Sequence, residues 1–259
     1  MILPKKISPS LINHLKNYRD QQRFPILSHF NGKNVLLRCA QPMMGVLNKN
    51  SIQDENLIKE YIKTADLTSM ELNNKSKLMI IDCRPLKNAM AQQYILGGGS
   101  EQVLNYQYVD IPGKYDTTKK LFLNMPNIHI VSSQFEQIFL KYTLNGIKPK
   151  TNVINEEEEE EEEEDDDDED EIIIFNPLDF SWYETIANVL ENLDYLLKEY
   201  LLNSTHFLIH CTHGWDRTSM LTSLMMICSD PFYRTIKGFF VLIKLEWLDY
   251  GFRFAEPFD

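Results

Sequence analysis

Cysteine is scarce in this chain of 259 residues, and Cys39, Cys83, Cys211 and Cys228 show neither paired spacing nor a Cys-x-x-Cys pair. A disulfide framework and a cysteine zinc site are therefore not indicated, and a reducing compartment is expected. The six histidines lack metal-ligand spacing as well. No apolar run reaches the roughly 20 residues that a bilayer span requires. Met1 to Ser10 is too polar, and too broken by Pro4 and Pro9, to read as a signal peptide. No internal repeat is visible. The expectation is a soluble, cytoplasmic protein with peripheral membrane contact at most, no metal or other cofactor, and no nucleic-acid partner. Its length suits one large domain, and a hydrophobic fraction of 43% can build a core.

One segment distorts the composition. Glu156 to Glu171 is a run of sixteen acidic residues, which leaves 22 of the 38 acids against 26 Lys and Arg, so the net charge of −12 becomes +4 without it. Such a run buries nothing and repels itself, so a disordered insertion over about 145–175 is expected. The remainder is mildly basic, which fits a domain that meets anionic lipid or phosphate.

The strongest chemical pattern is His210-Cys211-Thr212-His213-Gly214-Trp215-Asp216-Arg217-Thr218. Phe207-Leu208-Ile209 before it reads as a buried strand, and Thr218 to Met226 after it reads as a helix. Five residues between Cys211 and Arg217 let successive backbone N–H groups converge on one anion at the start of that helix. The same field favours a thiolate, since helix N-termini and cations lower a cysteine pKa from about 8.5 to roughly 3.5–7.5. Cys211 is thus a candidate nucleophile. Arg217 offers a planar fork for two phosphate oxygens, and Asp216, the one carboxyl within the loop, is placed to protonate a leaving alkoxide. Gly214 is expected to let backbone approach the phosphate. Trp215 is expected to hold the Asp216 carboxyl, the hydroxyls of Thr212 and Thr218 to bond the sulfur or the loop, and His210 to orient the loop from behind.

Cys-x5-Arg alone is a weak pattern, and Cys228 to Arg234 repeats it. That second segment has no glycine, loses one N–H to Pro231, and has no strand before it, so Cys228 reads as a small buried hydrophobe.

The Gly214-Trp215-Asp216-Arg217-Thr218 portion resembles the phosphate loop of the myotubularin-type phosphoinositide phosphatases. Further segments are similar too: Arg23 to Ser28, Arg38 to Val46, Ile81 to Pro85 running on to Asn88-Ala89 and Gly97-Gly98-Gly99, Asn127-Ile128-His129, Phe232 to Phe239, and Glu246 to Phe254. The resemblance covers roughly residues 20 to 255. It implies Cys211 as nucleophile, Arg217 as phosphate clamp and Asp216 as general acid. It also implies head-group contacts from Asn88, Asn127, Ile128, Thr212, His213, Gly214, Trp215, Asp216, Arg217 and Arg253. By the same resemblance the substrate is a phosphoinositide head group at an endosomal-type membrane, and related chains are candidate partners in a homo- or hetero-oligomer.

His213 is a departure, because resembling loops carry Asp there. Imidazole donates from at least one nitrogen where carboxylate only accepts, so specificity is expected to change without loss of Cys211, Asp216 or Arg217.

The apolar runs place strands at Asn34 to Cys39 and Lys77 to Asp82, and helices at Asp54 to Thr64, Trp182 to Leu202, from Thr218 and from Thr235. Ile186, Val189, Leu190, Leu193, Leu196 and Leu197 recur at helical spacing and read as a core stripe. Strands alternating with helices indicate an α/β fold with helices on both faces of a sheet, which by resemblance is protein-tyrosine-phosphatase-like, the phosphate loop lying between strand and helix. Residues 1–20 read as an N-terminal extension. Residues 21–259 read as a phosphatase domain that stops short of the family's further helices, exposing apolar surface near Phe252, Phe254 and Phe258. The function expected is removal of the 3-phosphate from phosphatidylinositol 3-phosphate or its 3,5-bisphosphate through a phosphocysteine. The alternatives are a weak or inactive phosphoinositide- or partner-binding module and a protein tyrosine phosphatase.

Overall fold

The runs Val35-Leu36-Leu37, Leu78-Met79-Ile80-Ile81 and Phe207-Leu208-Ile209 are apolar without alternation, the signature of strands buried on both faces. A computed structural model, which describes residues 3–4, 7–68, 77–101, 118–144 and 181–255, puts them at the centre of one sheet. Its strands are β1 (Ile26–Phe30), β2 (Val35–Cys39), β3 (Lys77–Asp82), β4 (Thr118–Phe122) and β5 (Thr205–His210), in the order β1-β2-β5-β3-β4. Only the β1–β2 pairing is antiparallel; β5 lies parallel between β2 and β3.

The helices are α1 (Pro9–Lys16), α2 (Ile52–Thr68), α3 (Leu86–Leu96), α4 (Ile128–Leu144), α5 (Ser181–Leu201), α6 (Arg217–Ser229) and α7 (Ile236–Leu242). Because successive strand residues point to opposite faces, the sheet serves two cores. Val35, Leu37, Ile80 and Leu208 join Leu15 of α1 and Leu57, Ile58 and Ile62 of α2 on one side. Leu36, Met79, Ile81, Phe207 and Ile209 join Leu193 and Leu196 of α5 and Leu221 and Met225 of α6 on the other. Helices therefore cover both faces, as the pattern of elements implied. The fold is α/β and consistent with that of protein-tyrosine-phosphatase-like enzymes.

Several details depart from expectation. Residues 9–19, assigned to an extension, pack beside α2 into the first of these cores: Ser8 caps α1 with its hydroxyl, Leu15 is fully buried, and buried Arg19 pairs with Asp54 and Glu101. On α5 the stripe is narrower than its sequence, with Val189, Leu193 and Leu196 buried but Leu190 54% and Ile186 38% exposed. Cys228 is exposed rather than buried, in the last turn of α6, where Arg234 donates to the carbonyl of Ile227 (2.6 Å) and so terminates the helix. Phe252 and Phe254 cluster with Trp247, and Phe254 stays half exposed; Phe258 and the acidic run lie outside the described residues. Among the described residues no helix is long and apolar enough to cross a membrane.

Candidate active site

The loop after β5 emerges where parallel strands present their carboxyl ends, the usual ligand position in such sheets. Three neighbours fix its path. Gln41 N–H donates to the Thr212 carbonyl (2.9 Å), Cys83 N–H to that of His210 (2.9 Å), and the Arg38 guanidinium to that of Gly214. Arg38 also reaches Ser219 Oγ (2.7 Å) and the Glu246 carboxylate (2.5 Å), which accepts in turn from Thr222 Oγ1 (2.5 Å). The turn requires glycine. Gly214 has φ of +78°, and a Cβ there would lie 2.5 Å from the Cys39 carbonyl oxygen. The close approach that the glycine permits on its Cβ side is to β2.

Among the described residues, none of the N–H groups from Thr212 to Trp215 donates to a protein acceptor. The loop borders a cavity of ≈ 320 Å³ lined by Arg84, Asn88, Ala91, Gln92, Asn127, Ile128, His129, Cys211, Thr212, His213, Trp215, Asp216 and Arg217. Nine of the eleven site residues proposed from sequence therefore meet there, from α3, from the start of α4 and from the loop. Gly214 and Arg253 are not in the lining.

Cys211 is only 1% exposed and continues the row of Phe207 and Ile209 into the α5–α6 core. Burial pushes the thiols of Cys39 and Cys83 far up, so both stay protonated. Arg217 makes one long hydrogen bond, Nη1 to the Met125 carbonyl (3.4 Å), and its buried Nε, 3.7 Å from the Asp216 carboxylate, has no hydrogen-bond partner among the described residues. Most of the guanidinium fork is free for a ligand. Arg84 is the opposite case. It is clamped on Asp82 (2.9 and 2.7 Å), Gln41 (2.6 Å) and the Gly99 carbonyl (2.7 Å), so it serves as scaffold beneath the cavity.

Asp216 stands at the N-cap of α6 with its carboxyl 3.7 Å from Arg217 Nε. Burial pushes its pKa up, against the lowering influence of Arg217 and of the Ile128 and Arg217 backbone N–H groups. It is Ile128, not Trp215, that holds this carboxyl. His210 is fully buried with Nδ1 donating to the Cys211 carbonyl (3.2 Å), and burial pushes its pKa down despite Asp82 at 3.8 Å. A neutral ring is the result.

Trp215 has other work. Arg23 lies over its ring at 4.2 Å, Arg253 at 4.3 Å, and the His213 ring packs against it with centroids 4.6 Å apart. Each cation over an indole face contributes about 0.5–2 kcal/mol. His213 donates from Nδ1 to Asp20 Oδ2 (2.9 Å) and remains 42% exposed. Thr218 is fully buried under the loop.

Sequence reasoning passed over Arg84, Ala91, Gln92 and His129 as lining residues, and Asp20, Arg38 and Gln41 as the loop's supports. Gln92 was reachable, because it falls one turn after Asn88 on the same face of a helix. Arg38 and Asp20 gave no such signal.

A family model described as "myotubularin-like phosphatase domain" matches residues 1–258. A phosphoinositide 3-phosphatase of Saccharomyces cerevisiae is 34% identical across 99% of this chain and 36% of its own length. A phosphatidylinositol-3,5-bisphosphate 3-phosphatase of Caenorhabditis elegans is 34% identical across 95% of the chain and 35% of its own length, and one of Mus musculus 30% across 98% and 34%. The chain spans about a third of the length of the curated relatives it matches. It belongs to the myotubularin-like phosphatase family.

Proposed function

We propose that this chain is a cysteine-dependent phosphoinositide 3-phosphatase acting on phosphatidylinositol 3-phosphate, its 3,5-bisphosphate, or both. The observation that carries the reading is the meeting of Cys211, Asp216 and Arg217 with Asn88, Asn127 and Ile128 around one cavity. The relatives' names supply the substrate class.

The Cys211 thiolate attacks phosphorus while Arg217 and the free loop N–H groups hold the non-bridging oxygens. The bond from phosphorus to the inositol oxygen breaks, and Asp216 gives that oxygen its proton. Water then attacks the phosphocysteine, Asp216 accepts the water's proton, and phosphate leaves with the thiolate restored. A carboxyl whose pKa is raised by burial suits the first role. The chain, whose net charge is +4 once the acidic run is set aside, meets an endosomal-type membrane surface peripherally.

Phosphate release from short-chain mono- and bisphosphorylated inositides, with a phosphotyrosine peptide as control, tests the reading. Turnover confined to 3-phosphorylated inositides is expected. Faster turnover of the peptide would make the protein a tyrosine phosphatase, and head-group binding without turnover would make it a binding module.

A further inference from the structure

The histidine in the loop is tied to a residue far away in sequence. His213 Nδ1 is 2.9 Å from Asp20 Oδ2, and the same oxygen accepts from Gln41 Nε2 (3.1 Å). Backbone links make this assembly stiff. Arg19 pairs with Pro42 in a β-bridge, Asp20 N–H donates to the Gln41 carbonyl (3.1 Å), and Gln41 N–H donates to that of Thr212 (2.9 Å). Asp20 is therefore registered against the loop residue that precedes His213. Trp215 holds the imidazole from one face.

A carboxylate accepts and does not donate, so the hydrogen on the Asp20 bond belongs to Nδ1. Burial alone would push the Asp20 pKa up, but the hydrogen bonds from His213 and Gln41 hold it below the usual carboxylate value, so the acceptor form persists at neutral pH. A neutral imidazole with its proton on Nδ1 has a lone pair on Nε2. His213 lines the cavity, and among the described residues Nε2 has no hydrogen-bond partner.

We propose that Asp20 is a positioning residue that fixes His213 in the Nδ1–H form, so that Nε2 accepts a hydrogen bond from an inositol hydroxyl beside the scissile phosphate. This rests on reading the cavity as an inositide phosphatase site. It assigns the loop a hydroxyl-acceptor role carried by an imidazole and fixed by a carboxylate behind it. The ligand class follows: a polyhydroxylated phosphate monoester, preferred over an aryl phosphate that has no such hydroxyl.

Histidine-selective ¹⁵N NMR of the full chain, with His213 assigned through His213→Phe, reads the tautomer directly. At neutral pH His213 is expected to show a protonated Nδ1 and a bare Nε2, and Asp20→Ala is expected to move the proton toward Nε2. In turnover, losing one neutral hydrogen bond predicts that Asp20→Ala and His213→Phe each lower the ratio of kcat/KM for short-chain phosphatidylinositol 3-phosphate to that for p-nitrophenyl phosphate about 3- to 10-fold. Asp20→Ala should add nothing in the His213→Phe background. A proton on Nε2 or on both nitrogens of the wild type, or a wild-type ratio in Asp20→Ala, overturns the proposal; the wild-type tautomer is read without Asp20→Ala having to fold. Absence of any wild-type inositide turnover would instead sink the functional reading. Affinity of Cys211→Ser for inositol 1,3-bisphosphate then decides the positioning role, a loss of about 3- to 10-fold on adding Asp20→Ala supporting it and equal affinity overturning it.

Discussion

Arg38 holds Gly214: its guanidinium, planted on the strand beside the one that carries the loop, donates to the carbonyl at the loop's midpoint. Its charge is balanced by Glu246, equally buried, which also accepts from Thr222 on α6. Removing one partner leaves a buried charge unpaired. Arg38→Met is expected to cost about 3–5 kcal/mol, and Arg38→Met with Glu246→Leu to recover much of it. Urea denaturation of the three proteins checks this; a single variant as stable as wild type would mean that the network contributes little.

Cys211 and Cys228 share the Cys-x5-Arg spacing and nothing else. Cys211 sits at the cavity with unpaired backbone N–H groups beside it, whereas Arg234 spends its guanidinium on the Ile227 carbonyl at the end of α6. Cys211→Ser is expected to abolish phosphate release and to keep head-group binding, since the loop and Arg217 remain. Cys228→Ser, on the surface, should change turnover less than about twofold and stability by no more than about 0.5 kcal/mol. Equal losses in the two variants would refute the assignment of the nucleophile.

The Gly214 φ of +78° and the Cys39 carbonyl 2.5 Å from its would-be Cβ exclude any side chain. Gly214→Ala carries about 1–2 kcal/mol of left-handed strain, and relief of the contact must lift the loop off β2. A displacement of about 1 Å in a reacting group costs on the order of 10²-fold in rate. The variant is therefore expected to lose far more activity than stability, measured as kcat against thermal midpoint. Normal kcat in Gly214→Ala would show that the loop tolerates the shift.

The parts of this molecule legible from sequence are those whose signal is local. β2, β3 and β5 could be read because each is an unbroken apolar run, and the loop because strand, glycine, arginine and helix follow in order. β1 and β4 escaped notice: Ile26–Phe30 and Thr118–Phe122 are edge strands, with His29, Lys119 and Lys120 where alternation would be sought. The helix α3 was hidden because Leu86, Met90 and Tyr94 face outward while its cavity residues Asn88 and Gln92 are polar. Periodicity misled at Ile186 and Leu190, since a stripe in sequence does not say how wide the covering surface is. Asp20 and Arg38 act on the loop across the sheet, from positions 193 and 176 residues away from their partners His213 and Gly214. No spacing rule reaches that far.

Asp216 joins chemistry and stability with the same preference for low pH. Burial raises its pKa above the ordinary carboxylate value, so the protonated form needed to supply the leaving oxygen survives to higher pH, and kcat on an inositide should fall as pH rises through that raised value. The sign for stability follows from proton uptake. Between the unfolded and the raised folded pKa the native state holds more protons than the unfolded one, so the contribution of this group is complete below the unfolded pKa and is lost as pH rises through the folded one. Asp216→Asn removes the penalty of the buried charge. It is expected to be more stable than wild type at neutral pH, with the two thermal midpoints converging in acid, while kcat on phosphatidylinositol 3-phosphate drops about 10²- to 10⁴-fold. On p-nitrophenyl phosphate, whose leaving group needs no proton, the loss should be much smaller. If the variant is less stable than wild type at neutral pH, the carboxylate is held by the Ile128 N–H and Arg217 more strongly than burial opposes it; if both substrates slow equally, Asp216 shapes the loop and is not the acid.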